Sequence, residues 1–502
     1  MQEITRKNLK KLYKNLEKLR KYQHALAIIN FDFETCAPQD SKEAEGDVIS
    51  FLSNQSFKIA TSKEMKELTV YLFEHKDELD DLDKVLINKL YEEYEKTKNV
   101  SAETQLKWSK IYNKAYVDWL NAKSNADFSL FAPSLNSIIE MMRENVSLRE
   151  NAMKDVYDNF LNDYEKGMLQ EDLDMFFDEL KTGLLELLKK IKNSNKKIRS
   201  DFLHREIPVY KQAEFSDYIL KLNGYDFKRG CLSTTEHPFT INVAKDDSRV
   251  TTHYYENMFI SNIFSVIHEG GHAIFMQNQR EEDYAHFIND GISNGMHESV
   301  SRFYENVIGR SKAYISLIYP ELKKVFSAEL GDITERELYE AVNIVEPSLI
   351  RTEADEVTYG IHIIIRYEIE KMLLSEKISV NDVPSVWNRL YKEYLGVVPE
   401  NDAKGALQDV HWASDFGYFP SYALGNAYNA MYLRKIKKDM GFDSAVRRGD
   451  FDKINGWMKE NVFKYANVLT PKEWLKKLIG EDFSAKYFLE YLNEKYSEIY
   501  GF

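Results

Sequence analysis

His268-Glu269-Gly270-Gly271-His272 sets two imidazoles four residues apart with a carboxylate between them. On an α-helix, positions i and i+4 share a face, so both rings reach one metal ion. The pattern reads H-E-x-x-H, a spacing from which zinc hydrolases build sites with the middle Glu beside the reacting water. Eleven His in 502 residues make a chance occurrence rare, roughly 0.02 per chain of this composition. Two Gly inside a helix cost roughly 1 kcal/mol each relative to Ala. Their missing Cβ atoms at Gly270 and Gly271 point to the close approach of another backbone or of a substrate.

The sequence around this helix is patterned for a mainly α fold. Leu9, Leu12, Tyr13, Leu16 and Leu19 mark one face of a first helix, and residues 64–97 and 102–124 repeat the spacing with Lys/Glu pairs outside. Leu173, Phe176, Phe177, Leu180, Leu184 and Leu188 draw a further stripe, read as core. The texture changes near residue 230. Gly230 to His237 reads as loop, and Thr240–Ala244 and Arg249–Tyr255 as strands joined by Lys245-Asp246-Asp247-Ser248. Ser261 or Asn262 then offers an N-cap for the motif helix. A helix over 297–308, a break at Glu346-Pro347, a long helix over roughly 351–375 and a turn-rich stretch over 405–425 follow.

Only 10 Pro and 21 Gly occur, which favours long helices over a loop-rich β fold. No repeat or linker divides the chain. The expectation is one domain over 1–502: a helical wall over 1–200, an active-site region over 230–425 and closing helices over 426–502. Eight of the eleven His lie from His237 to His411, within the middle region. The net charge of −14 argues against nucleic acid as a partner. Two Cys provide no disulfide framework, Met1 to Tyr22 lacks the apolar core of a leader, and no apolar run is long enough to span a membrane. A soluble cytoplasmic protein is expected.

Two His leave a zinc site incomplete; a third protein ligand is needed, with water in the open position. Phe275 and Asn278 occupy the Gly and third-His positions of the longer three-His pattern, which removes that class. His286, His297, Glu298 and Glu305 remain. Glu298 follows a glycine-containing loop, 30 residues after His268, and is the preferred third ligand. His297 reads better as a supporting or core histidine.

Further segments carry a resemblance. His297-Glu298-Ser299, Ile350-Arg351-Thr352-Glu353-Ala354-Asp355-Glu356, Gln408-Asp409-Val410-His411-Trp412 and Gly417-Tyr418-Phe419-Pro420-Ser421-Tyr422 follow the His-Glu-Gly-Gly-His stretch in order. With Asn30 to Pro38, His237-Pro238-Phe239 and Ser248-Arg249-Val250-Thr251-Thr252, they make the chain resemble the Taq-type metallocarboxypeptidases, the thermostable carboxypeptidase 1 family, from about residue 25 to 425. The resemblance implies a large helical domain with a deep central groove and a small β-hairpin beside the metal helix. It also implies one divalent metal, zinc first and cobalt second, release of C-terminal amino acids from peptides, and a homodimer. Phe31, Cys36 and His253 depart from the family's expected Trp, Met and Arg. The departure at His253 bears on substrate contacts near the hairpin.

On this reading Glu269 is the general base. Tyr359, His411, Tyr418 and Tyr422 are candidates to stabilise the oxyanion, Tyr359 favoured by similarity to the wider helical zinc peptidases. A carboxypeptidase must also grip a free α-carboxylate, which suits the planar fork of Arg. Arg351 is the first candidate and Arg249 the second, each with an ion pair to Asp355 or Asp247 as its ordinary alternative. The hairpin offers an edge strand for the substrate backbone. Two rival functions stand: an oligoendopeptidase of similar build, and a non-catalytic helical scaffold that binds peptides.

Overall fold

The computed structural model describes residues 1–289, 291–414 and 416–502. Helices dominate. The first, Glu3–Thr35, runs 33 residues and packs along Lys42–Ala60. Leu12 and Leu16 from its expected stripe are buried in a small core with Leu68, Leu72, Leu86 and Ile87, and Leu9, Tyr13 and Leu19 pack against that core. The stretch 64–97 is two helices, Lys63–Glu74 and Asp81–Thr97. Each starts at a side-chain cap, Ser62 accepting from Met65 N and Asp80 from Asp83 N, so local chemistry places the break. The stripe beginning at Leu173 lies on Gln170–Asn193 and faces the main core, with Leu188 partly buried.

The β region is a three-stranded sheet in the order β1 (Leu232–Thr234), β3 (Asp247–Thr252), β2 (Thr240–Ala244). Strand β1 occupies part of the segment read as loop. Three residues are too few to show alternation, and its parallel partner β3 lies beyond the hairpin in sequence. The turn shrinks to Lys245-Asp246, with an irregular register between Asn242 and Ala244, and β3 ends at Thr252 rather than at Tyr255. Strand β2 is at an edge, and the first helix packs beside it, His24 Nδ1 lying 3.0 Å from Val243 O.

The motif helix is Phe259–Gln277, and its N-cap is Met258, which lies three residues before Ser261 and four before Asn262 and gives no side-chain cap. Phe259 is wholly buried, and Asn262 donates to Thr252 Oγ1 at 2.9 Å instead of capping. Tertiary contacts here override local cap chemistry. The helix is buried except along Ile260, Ser261, Ser265, His268, Glu269, His272 and Met276. These positions form one face of the helix, the face that carries His268, Glu269 and His272.

Asn294–Arg302, with Ser293 as its N-cap, carries Glu298 and winds directly into a π-turn, Phe303–Gly309. The long helix expected from 351 starts later: Arg351–Glu353 is a 3₁₀ turn, and Asp355 caps Glu356–Leu374 by accepting from Val357 N and Thr358 N. Pro420–Asp439 packs closely along the Glu298 helix.

Two glycines let the Glu298 helix pass between its neighbours. A Cβ on Gly271 would lie 2.9 Å from Ser301 Cα, and one on Gly425 would lie 3.1 Å from the Glu298 carbonyl carbon. At Gly271 the close approach expected from the sequence is a helix crossing. Gly271→Ala is therefore expected to cost stability, by about 1–3 kcal/mol as an overpacked contact, despite the better helix propensity of Ala. Thermal or denaturant unfolding checks this; a stabilised variant would show that the crossing tolerates a methyl group.

Candidate metal and peptide-binding site

The motif helix presents His268 and His272 toward Glu298. Each imidazole Nε2 stands 3.7 Å from Glu298 Oε2, and the three groups form a set able to hold one ion. Two ligands on a tetrahedral zinc lie roughly 3.4 Å apart, so this donor set fits a divalent metal with small adjustment. The surroundings prepare the ligands. His268 Nδ1 donates to Glu305 Oε2 at 2.8 Å, which leaves the Nε2 lone pair for the ion. His272 Nδ1 pairs with His297 Nδ1 at 2.5 Å, so His297 faces the ring nitrogen of His272 that points away from Glu298 and stands outside the three-residue set. Burial pushes His272 well below the ordinary imidazole range and His297 down to about 4, which keeps both neutral.

Arg302 joins the acidic groups. Its Nε donates to Glu298 Oε1 at 2.7 Å and its Nη1 to Glu305 Oε2 at 3.1 Å. Burial raises both carboxyls, but Arg302 and His268 outweigh it and hold each below the usual range. Arg302 went unread in the sequence, although its place four residues after Glu298 was a signal for a helical ion pair. Glu305, weighed there as a weaker ligand, orients His268 from the π-turn.

Glu269 lies on the same helix face. Thr240 Oγ1, at the start of β2, is 2.6 Å from Glu269 Oε2 and 2.9 Å from Glu269 O. Burial raises the Glu269 carboxyl above its ordinary range, against the opposing pull of His268 and Thr240. Thr240 had no signal in the sequence, because only the fold sets the hairpin over the helix.

A second cluster holds the other candidates. Arg351, buried in its 3₁₀ turn, donates from Nε and Nη2 to Asp409 Oδ1 at 3.0 and 2.8 Å, and from Nη1 to Tyr359 Oη at 3.1 Å. Its ion-pair partner is thus Asp409, not Asp355, whose carboxylate caps the next helix. Asp409 Oδ2 accepts from Arg366 Nε at 2.7 Å, and the two arginines overcome burial to hold Asp409 well below the carboxylate range. Tyr422 faces Arg351, its ring centre 4.9 Å from the guanidinium. His411 Nε2 lies 3.4 Å from Tyr422 Oη, and Tyr418 packs edge-on to Tyr422. Tyr359 joins the two clusters, with Arg302 over its ring at 4.5 Å and Arg351 at its hydroxyl.

Arg249 lies elsewhere. It pairs with Asp247 at 2.7 Å and covers the Phe31 ring at 4.9 Å, while Phe31 packs on Phe239. These contacts fasten the first helix to the sheet. His253 sits at 2.9 Å from Thr235 O and packs at a tilt against the Tyr255 ring.

Two buried carboxyls frame the site with no ion pair among the described residues, only Arg366 acting on Glu370 at longer range. Glu165 accepts from Ser293 Oγ, Gly295 N and Tyr428 Oη at 2.8, 2.9 and 3.0 Å. Glu370 accepts from Tyr157 Oη, Gly417 N and Trp412 Nε1 at 2.6, 3.0 and 3.1 Å. Burial pushes each up to about 7, against these hydrogen bonds. The folded chain then binds more protons than the unfolded chain between about pH 4.5 and 7. Their contribution to stability is complete below 4.5 and is lost as pH rises through 7. Each displacement is worth roughly 3 kcal/mol. Denaturant unfolding of metal-free protein at pH 5 and 7.5 is expected to show a smaller fall for Glu165→Gln and for Glu370→Gln than for the wild type. An unchanged fall in both would remove these carboxyls as its source.

Comparison with known proteins gives the family and the fold. Residues 11–496 match the family model of the carboxypeptidase Taq (M32) metallopeptidases. The chain is 40% identical over 493 residues to carboxypeptidase 1 of Bacillus subtilis, covering 98% of each chain. It is 37% identical over 418 residues to thermostable carboxypeptidase 1 of Thermus thermophilus, covering 81% of this chain and 82% of that one. The crystal structure of the M32 carboxypeptidase from Deinococcus radiodurans superposes with a TM-score of 0.95 at 30% identity, over 99% of this chain and all of that one. No helix among the described residues is long and apolar enough to cross a membrane. The chain belongs to the carboxypeptidase Taq (M32) metallopeptidase family and is a metallocarboxypeptidase that requires a divalent metal.

Proposed function

We propose that the chain releases C-terminal amino acids from peptides with broad specificity, using one ion, zinc before cobalt, held by His268, His272 and Glu298. The observation that carries this reading is the Arg351 guanidinium. Its Nε and Nη2 donate to Asp409 and its Nη1 to Tyr359, so three of its five N–H groups are taken. One N–H on each Nη has no hydrogen bond among the described residues, and a guanidinium with donors to spare suits a carboxylate.

The divalent ion supplies Lewis acidity and a water acidic enough to react near neutral pH. Glu269 removes the proton of the attacking water and passes it to the leaving amine. Its raised affinity for protons suits both halves of that transfer. Tyr359, His411, Tyr418 and Tyr422 supply the donors for the charge that develops on the carbonyl oxygen. Arg351 anchors the terminal carboxylate. The edge position of β2 beside Glu269 supports backbone pairing with the substrate, which is indifferent to side chains. Arg249 has its charge satisfied by Asp247 and ranks below Arg351 as a substrate contact. The whole of 1–502 works as one unit, as a cytoplasmic homodimer.

The test compares an N-blocked dipeptide with its C-terminally amidated twin, on metal-free protein with zinc or cobalt added back. Metal-dependent cleavage of the free acid alone supports the carboxypeptidase. Equal cleavage of both would assign an oligoendopeptidase, and a protein that binds peptide and no metal would assign the scaffold.

A further inference from the structure

The metal ligands and the Arg351 cluster sit on different parts of the chain, and one short helix touches both supports. Val156–Tyr164 is capped by Asp155, whose carboxylate accepts from Tyr157 N at 2.8 Å. Near its start, Tyr157 donates to Glu370. Glu370 in turn holds Trp412, which follows His411, and Gly417, which precedes Tyr418. Just past its end, Glu165 holds Ser293 and Gly295, the cap and first turn of the helix that carries Glu298. The two anchor points are eight residues apart, about 12 Å along a helix.

Backbone packing reinforces both ends. Gly417 has a φ of +87°, and a Cβ there would lie 3.0–3.1 Å from backbone atoms of Phe160 and Leu161 in the middle of the short helix. Tyr164 packs edge-on to Tyr418 at 5.2 Å. At the other end, a Cβ on Gly295 would lie 2.7 Å from Glu165 Oε2. Each carboxyl is enclosed and accepts three hydrogen bonds, and neither forms an ion pair among the described residues, although Arg366 exerts some pull on Glu370. Neither touches a metal ligand or a candidate substrate-binding side chain directly. A hydrophobic side chain would fill the same space without desolvating a carboxylate, so packing alone does not account for them.

We infer that Val156–Tyr164 is a spacer that fixes the distance between the metal ligands and the carboxylate-binding cluster, with Glu165 and Glu370 as positioning residues for the two ends. Each acts on its own half of the site. Glu165 sets the helix of Glu298 and so governs the geometry of the metal ligands. Glu370 sets Trp412 and Gly417, the neighbours of His411 and Tyr418, and so governs how the peptide terminus is held. The second assignment rests on the carboxypeptidase reading of the Arg351 cluster; the first does not.

Two readouts test this. Cobalt titration of metal-free protein, followed by its visible absorption, gives metal affinity. KM for the N-blocked dipeptide at saturating metal gives terminus recognition. Glu165→Gln keeps the shape but either meets Gly295 N with an N–H or reverses the hydrogen bonds to Ser293 and Tyr428. By displacing the start of the helix that carries Glu298 it is expected to weaken cobalt binding at least about tenfold, with KM within about threefold. Glu370→Gln is expected to raise KM at least about tenfold with cobalt affinity within about threefold. Tyr428→Phe and Tyr157→Phe each remove one donor from the same carboxyls and should show the same split, more weakly, if a Gln variant fails to fold. Variants that shift both readouts together, or neither, would overturn the inference. If the wild type cleaves free acid and amide equally, the carboxylate reading fails by itself. The spacer then stands or falls on whether Glu370→Gln still raises KM and spares metal affinity.

Discussion

Glu269→Gln is expected to lower kcat by about 10³–10⁴-fold while the protein still binds its metal. General acid–base catalysis contributes about 10²–10⁴-fold. The upper end applies here because one carboxylate serves both proton transfers, from the water and to the amine. Gln has nearly the same shape and still accepts from Thr240 Oγ1, which lies 2.6 Å from Glu269 Oε2 in the wild type. His268, His272 and Glu298 do not hydrogen-bond to the Glu269 side chain, so the metal ligands keep their supports. The measurement pairs kcat with metal content. A variant with near wild-type kcat would move the base elsewhere, and one without metal would mean that the carboxylate holds the ligands together.

Arg351→Ala is expected to lower kcat/KM for free-acid peptides by about 10²-fold or more, with metal content unchanged. Removing one arginine from a buried pair often unfolds a protein by stranding the carboxylate. Asp409 is protected from that, since Arg366, wholly buried, still binds its Oδ2 at 2.7 Å. The loss should therefore appear in catalysis. An amidated peptide has no carboxylate to lose, so its slow rate should change little, and the gap between the two substrates should close. Unchanged kinetics on the free acid would take Arg351 out of substrate binding.

Much of the site was legible because H-E-x-x-H is a local code. The spacing from His268 to His272 needs only a helix to have meaning, and the partly exposed face of Phe259–Gln277 provides it. The residues around Arg351, Gln408 and Gly417 were legible through resemblance rather than periodicity. What stayed hidden is the layer behind the ligands. Thr240, Glu165 and Glu370 are ordinary residues in ordinary stretches, and their partners lie 29, 128–263 and 42–213 residues away. Arg249 shows the converse: a plausible carboxylate binder by type, it pairs with Asp247 and covers Phe31.

Sequence by itself determined the helical class, the stripes that became cores, the placing of His268 and His272 on one helix face, and the family. Each of these depends on residue type and short spacing, which a chain carries before it folds. Tertiary structure decided where the helices begin around the site, which partner each charged group takes, and how far apart the two halves of the site stand. Those outcomes depend on burial. Phe259 extends the motif helix past its expected caps because its ring is wholly enclosed, and Asp409 pairs with two arginines because the fold leaves them little water to face instead.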